Sequence, residues 1–230
     1  GAANYRNVID PRTGYAQGRH ADGTFLNDAN AFNFARFITE GAPCHYTWYV
    51  PQDPYGLMDC MGGKDKYVAR LDSMFSEQRY WHGNEPCHQV AYMFNYAGES
   101  WKTQRAVRHI METEYLNEPG GLSGNDDAGQ MSAWYVLAAA GLHPACPGDT
   151  RMEITSPVFD RIELRLDPAY APGGTFTVVA HGNSPSNVYI QRAVLNGREH
   201  TASHLDFADI AAGGTLELYM GDTPNTRWGI

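Results

Sequence analysis

Apolar residues change their spacing once along this chain, near Pro147-Gly148, and that change limits the folds open to it. From Lys64 onward Tyr67, Val68, Leu71, Met74 and Phe75 recur at three- and four-residue intervals, which predicts a helix with one buried face. A second helix is expected from Pro86, a residue suited to a first helical position, through Val90, Ala91, Phe94 and Ala97 to a stop at Gly98. A third, capped by Ser100, presents Trp101, Val107, Ile110 and Met111. A fourth starts near Gln130 and runs through Trp134, Val136 and Leu137 to Gly141, with Pro144 beyond it. After Pro147-Gly148 the pattern alternates over residues 161–166, 175–179 and 188–195, and Asn196-Gly197 closes the last run with a strong hairpin signal. Helices followed by strands make an α+β chain. The expected boundary lies near residue 150, between a helical region, 1–150, and a β-rich region, 151–230, read as a compact antiparallel unit.

Residues 15–63 are rich in Gly, Pro, Asp and Asn, with a short apolar piece around Phe32, Phe34, Phe37 and Ile38 and an aromatic cluster at Tyr46, Trp48 and Tyr49. This composition predicts long functional loops around one or two short helices. The chain opens as though continued from something larger, because Asn4 to Ile9 reads as a helix ending and Asp10-Pro11-Arg12-Thr13-Gly14 as a turn.

The net charge of -9, from 26 acidic and 17 basic residues, provides no extended basic surface to neutralise a phosphate backbone, so nucleic acid is not an expected partner. No apolar run is long enough to span a bilayer, and Gly1-Ala2-Ala3-Asn4 carries no signal pattern. Cys44, Cys60, Cys87 and Cys146 form no CxxC pair, which argues against a zinc ribbon or a thioredoxin-like motif and leaves disulfides open.

Three polar clusters stand before or between the helices. Thr39-Glu40-Gly41 precedes His45-Tyr46-Thr47-Trp48, and Glu40 taken alone reads as a capping carboxylate beside packed aromatics. His82-Gly83-Asn84-Glu85-Pro86-Cys87-His88 gathers oxygen and imidazole groups at a helix start. There an N-cap and a dipole complement would account for Asn84 and Glu85 but not for the flanking histidines. Such oxygens also suit a hard cation such as calcium, whereas HxxxxxH is not the HExxH of zinc proteases. Gly124-Asn125-Asp126-Asp127-Ala128-Gly129 sets adjacent acids before the fourth helix, without EF-hand spacing. Glycoside hydrolysis needs one carboxylic acid to protonate the leaving oxygen and one carboxylate opposite it, brought together from separate loops.

These clusters, in order, resemble glycoside hydrolase family 92, the calcium-dependent exo-α-mannosidases. The resemblance includes Gly18-Arg19-His20-Ala21-Asp22-Gly23, Glu40-Gly41 with Tyr46-Thr47-Trp48, His82-Gly83-Asn84-Glu85-Pro86, and Gly124-Asn125-Asp126-Asp127 with Gly129-Gln130-Met131-Ser132-Ala133-Trp134-Tyr135. It continues through Ser156-Pro157 and Leu195-Asn196-Gly197 to Gly213-Gly214-Thr215-Leu216. It implies helices of a partial α/α toroid of the six-hairpin type and an inverting, Ca2+-dependent removal of terminal α-mannose, with an α-1,2 linkage expected. By the same resemblance Glu40 looks like the general acid and Asp127 like the general base. Asn84 and Glu85 look like calcium ligands, and His82, His88, Trp48 and Asn125 like sugar contacts.

Relatives of that family are implied to carry a β-sandwich domain ahead of the toroid, to act on mannose-terminated glycans, N-glycans among them, and to be periplasmic or extracellular. Two departures stand out: the segment Phe75 to Trp81 is shorter than expected, and Gln52 replaces a common histidine. A non-catalytic carbohydrate-binding chain, a structural module and a toroid glycosidase acting on α-glucose linkages remain the competing expectations.

Overall fold

A computed structural model describes residues 1–26 and 30–230; residues 27–29, inside the long loop expected over 15–63, lie outside the described residues. After a 3-10 turn over Ala2–Asn7, the helices are α1 (Pro43–Tyr46), α2 (Pro54–Cys60), α3 (Lys64–Ser76), α4 (Met93–Tyr96), α5 (Ser100–Thr113), α6 (Gln130–Ala139) and α7 (Phe207–Ala211). The strands are β1 (Leu142–His143), β2 (Arg151–Ile154), β3 (Arg161–Arg165), β4 (Thr175–His181), β5 (Tyr189–Leu195), β6 (Arg198–Glu199), β7 (His204–Asp206) and β8 (Gly214–Gly221). Among the described residues no helix is long and apolar enough to cross a membrane.

The helix expected from Lys64 forms and buries Tyr67, Leu71 and Met74 on one face. The helix expected from Pro86 to Gly98 does not form as one piece. It breaks into 3-10 turns at Glu85–Cys87 and Val90–Tyr92 before α4. Side chains take the carbonyls that a continuous helix would use. Gln89 Nε2 donates to Pro86 O at 2.9 Å, Trp134 Nε1 donates to His88 O at 2.8 Å, and the Tyr92 amide turns to Gln89 O instead. Ser100 is the first residue of α5 rather than its cap, and its hydroxyl donates to Trp228 O at 2.6 Å. No helix forms around Phe32 to Ile38, which runs through turns and bends.

Two sheets follow, ordered β1-β2-β7 and β3-β4-β8-β5-β6. Asn196 and Gly197, at φ 50° and 77°, make the two-residue turn between β5 and β6 that their sequence predicts. The antiparallel expectation fails at one pairing: β8 returns by a crossover to lie parallel to β4, Phe176 opposite Gly214, and antiparallel to β5.

Among the described residues, apolar side chains gather in two clusters. One, among the helices, includes Trp48, Tyr67, Leu71, Met74, Phe94, Ile110 and Trp134. The other, in the sheets, includes Leu142, Phe176, Val178, Ile190, Leu216 and Leu218. Buried polar groups join them. Gln104 Oε1 accepts from the Ile190 amide at 2.8 Å, and Asn95 Nδ2 donates to Glu153 Oε2 at 2.8 Å. Arg108 donates to Ser156 Oγ at 3.0 Å and to Pro157 O.

Candidate active site

The loops before 3-10 turn Glu85–Cys87 and before α6 meet backbone to backbone. A Cβ on Gly124 would lie 2.2 Å from Gly83 O, and one on Gly83 would lie 2.7 Å from Ser123 O. Only glycine at both positions permits this approach, which brings the segment carrying Asn84 and Glu85 against the segment carrying Asn125 and Asp127. The third loop is tied to the first by Asn84, whose Nδ2 donates to Glu40 O at 3.1 Å and to Glu40 Oε2 at 3.5 Å.

The adjacent acids of the third cluster divide their work. Asp126 Oδ1 accepts from the Ser132 amide at 3.0 Å and from Ser132 Oγ at 2.9 Å, so it caps the start of α6. Asp127 is turned the other way by a left-handed backbone that continues through Ala128 and Gly129, at φ 50°, 57° and 98°. Consecutive left-handed residues of which two carry a Cβ are costly, and such strain gathers at functional sites.

Glu40, Asn84, Glu85, Asn125 and Asp127 border one open cleft of about 630 Å³, together with Phe34, Thr39 and Trp81. Glu85 and Asp127 also border a smaller cavity of about 240 Å³, whose other walls include Tyr49, His88, Gln130 and His143. The two carboxylates thus stand between the lobes. Hydrogen-bond contact with the Glu85 carboxyl, helped by desolvation and by the charges of Glu85 and Asp126, pushes the Asp127 pKa up, against the pull of His88.

His88 keeps a fixed orientation. Its Nε2 donates to His82 O at 3.0 Å and its Nδ1 faces Gln130 Nε2 at 3.2 Å, which selects the neutral ring with Nδ1 as acceptor. Burial lowers its pKa, opposed by the His82 carbonyl and Asp127.

Two residues expected to contact sugar are placed elsewhere. His82 is 0% exposed, so it cannot touch a ligand in the cleft. Its Nδ1 accepts from Tyr80 OH at 2.7 Å and its Nε2 donates to Tyr115 OH at 2.6 Å, while Tyr115 OH donates to Met131 O at 3.0 Å. Burial first, then His88 and His143, push its pKa down to about 3. His82 therefore ties the Asn84-Glu85 loop to α6 from behind. Trp48, also 0% exposed, packs edge-on against Tyr67 at 5.2 Å and belongs to the helical core.

Several cleft residues carry little functional signal in the sequence. Phe34 counted as part of an apolar helical piece, yet it is 74% exposed at the rim. Trp81 carried a signal only through its place beside His82. Gln130 and His143, at the start of α6 and in β1, line the smaller lobe and carried none of their own.

Comparison with known proteins gives the family. A model of the glycosyl hydrolase family 92 catalytic domain matches residues 1–222. An uncharacterized secreted glycosidase of Arthroderma benhamiae is 30% identical over 227 residues, covering 94% of this chain and 29% of the relative. A family 92 α-mannosidase of Bacteroides thetaiotaomicron superposes with a TM-score of 0.90 at 39% identity, covering 97% of this chain and 30% of that structure. A family 92 inverting mannosidase of the same organism does so with a TM-score of 0.90 at 36% identity, covering 99% and 34%. The chain thus spans about a third or less of the length of these relatives.

Proposed function

The chain belongs to glycosyl hydrolase family 92, and from that footing we propose that it supplies the acid and base of an inverting exo-α-mannosidase, with Glu40 as general acid and Asp127 as general base. The observation that carries this reading is that these two carboxylates, from separate loops, border the same cleft. Glu40 is held at Asn84, and the pair Asn84-Glu85 borders the same cleft as Glu40 and Asp127. Inversion needs the two carboxyl groups roughly 6.5–9.5 Å apart, with space for a water. The mannosidases among the structural relatives, one of them described as inverting, support the substrate class.

A calcium ion is part of the proposal, and the residues fit one. Glu85 and Asp127 are two carboxyl groups bordering both lobes, with no Lys or Arg among the described residues lining either, so a proton or a cation there would relieve their repulsion. Glu85 and Asn84 offer oxygen donors suited to a hard cation. Among the described residues no three His, Cys, Asp or Glu side chains form a metal cluster, so other oxygens, sugar hydroxyls included, would complete the shell. Held by Glu85 and Asn84, calcium would supply positive charge toward the sugar hydroxyls and favour a flattened ring.

The chain's own groups then act in one step. Asp127 accepts a proton from the water that attacks the anomeric carbon. Glu40 donates a proton to the glycosidic oxygen as the carbon–oxygen bond breaks, and the product sugar leaves with inverted configuration. His88 and Asn125 contact the sugar. The substrate is a mannose-terminated glycan, N-glycans included, with α-1,2 linkage, and a β-sandwich domain of the same protein completes the pocket. The compartment is periplasmic or extracellular, in keeping with a relative described as secreted.

The test is Glu40→Gln in the full-length protein. Hydrolysis of α-1,2-mannobiose, whose leaving group needs protonation, should fall by about 10²–10⁴-fold, while α-mannosyl fluoride, whose leaving group does not, is spared. Equal loss on both substrates would remove Glu40 from the acid role. Mannose binding without turnover by the unaltered protein would select the non-catalytic reading instead.

A further inference from the structure

Two large apolar side chains stand at the rim of the wide lobe although neither is needed to close the core. Phe34 is 74% exposed and Trp81 is 36% exposed. Both line the same lobe as Glu40, and neither lines the smaller lobe that holds His88 and Gln130. Trp81 is fixed in place. Its indole Nε1 packs so closely on Gly83 that a Cβ there would lie 2.6 Å away, and its ring meets the His45 imidazole with centroids 6.0 Å apart. His45 is itself anchored, its Nε2 bonded to Arg79 O at 2.9 Å and its Nδ1 accepting from the Ala42 amide at 3.2 Å.

An acid that protonates a glycosidic oxygen must face the leaving group, so the departing sugar lies on Glu40's side of the broken bond. Aromatic rings present flat apolar faces that suit the C–H face of a sugar. Accepting the acid role given to Glu40 above, we infer that Phe34 and Trp81 form the platform on which the leaving-group sugar stacks. This makes them determinants of which aglycone the enzyme accepts. Thr39, between Phe34 and Glu40 in sequence and on the same lobe, offers a hydroxyl to that sugar's rim.

The experiment uses full-length protein and three substrates, α-1,2-mannobiose, methyl α-mannoside and α-mannosyl fluoride. Methyl mannoside needs the acid but brings no second ring, so it separates the platform from the acid. For Phe34→Ala and Trp81→Ala the ratio of kcat/KM for mannobiose over methyl mannoside should fall by about tenfold, in the range of a well-placed aromatic contact, with Trp81→Phe restoring most of it. An unchanged ratio, whether both rates fall together or neither falls, overturns the platform. Phe34→Ala, at an exposed position, keeps the test decisive if Trp81→Ala fails to fold. Should the unaltered protein cleave none of the three substrates, the mannosidase reading itself fails.

Discussion

In the five-stranded sheet, β8 is bonded to β4 along one edge and to β5 along the other, and its inward residues Leu216, Leu218 and Met220 are buried. Around the cleft the main chain is held differently. Gln89 and Trp134 side chains take backbone carbonyls, Asn84 ties one loop to another, and His82 bridges Tyr80 and Tyr115. The sheet region thus draws its order from a repeating ladder that any residue of suitable shape can maintain. The cleft region draws its order from individual side-chain bonds, which lets the backbone depart from regular geometry where the acids border a shared space.

Three substitutions sharpen that contrast. Phe176, fully buried in the sheet core, should cost about 3–5 kcal/mol of unfolding free energy when replaced by alanine, read from denaturant melts, while catalytic rates per folded molecule stay near their original values. A comparable loss of turnover at full folding would show that the sheet shapes the cleft directly. Gly124→Ala should do the reverse: its Cβ would meet the Gly83 backbone, and a loop displacement of order 1 Å lowers kcat/KM by about 100-fold with a smaller effect on the melt.

The smallest effect concerns acid. His143 stacks on Tyr92 at 4.3 Å, and burial first, then His88, push its pKa down to about 3. The unfolded chain binds a proton at this group near pH 6.5, the folded chain only near pH 3. Stability contributed by keeping it neutral is therefore complete above about pH 6.5 and is lost as pH falls toward 3, with about 2 kcal/mol gone by pH 5. His143→Phe should flatten this slope, and an unchanged slope would place the acid sensitivity elsewhere, for instance on His82.

The legibility of these two regions differs for the same reason. Strands β3, β4 and β5 and the Asn196-Gly197 turn follow from alternation and turn chemistry, which are local. The place of β8 does not: Thr215 to Met220 alternates as a strand should, but its parallel pairing with β4 depends on a crossover that no local pattern encodes. α3 was legible because one face is apolar throughout, whereas the segment from Glu85 to Tyr96 has helical spacing and is broken by carbonyl partners far away in sequence. In the site, the oxygen-rich loops announced themselves as candidates by composition. That His82 and Trp48 face inward while Phe34 faces the cleft was hidden, since spacing alone does not say which side of a loop meets solvent.

The contact between Gly83 and Gly124 has a consequence for how such a site can change. Two loops that touch through bare main chain have their separation fixed by atoms common to all residues. Side chains farther along either loop can then be exchanged, altering what lines the cleft, while the separation of the two loops at their contact stays constant.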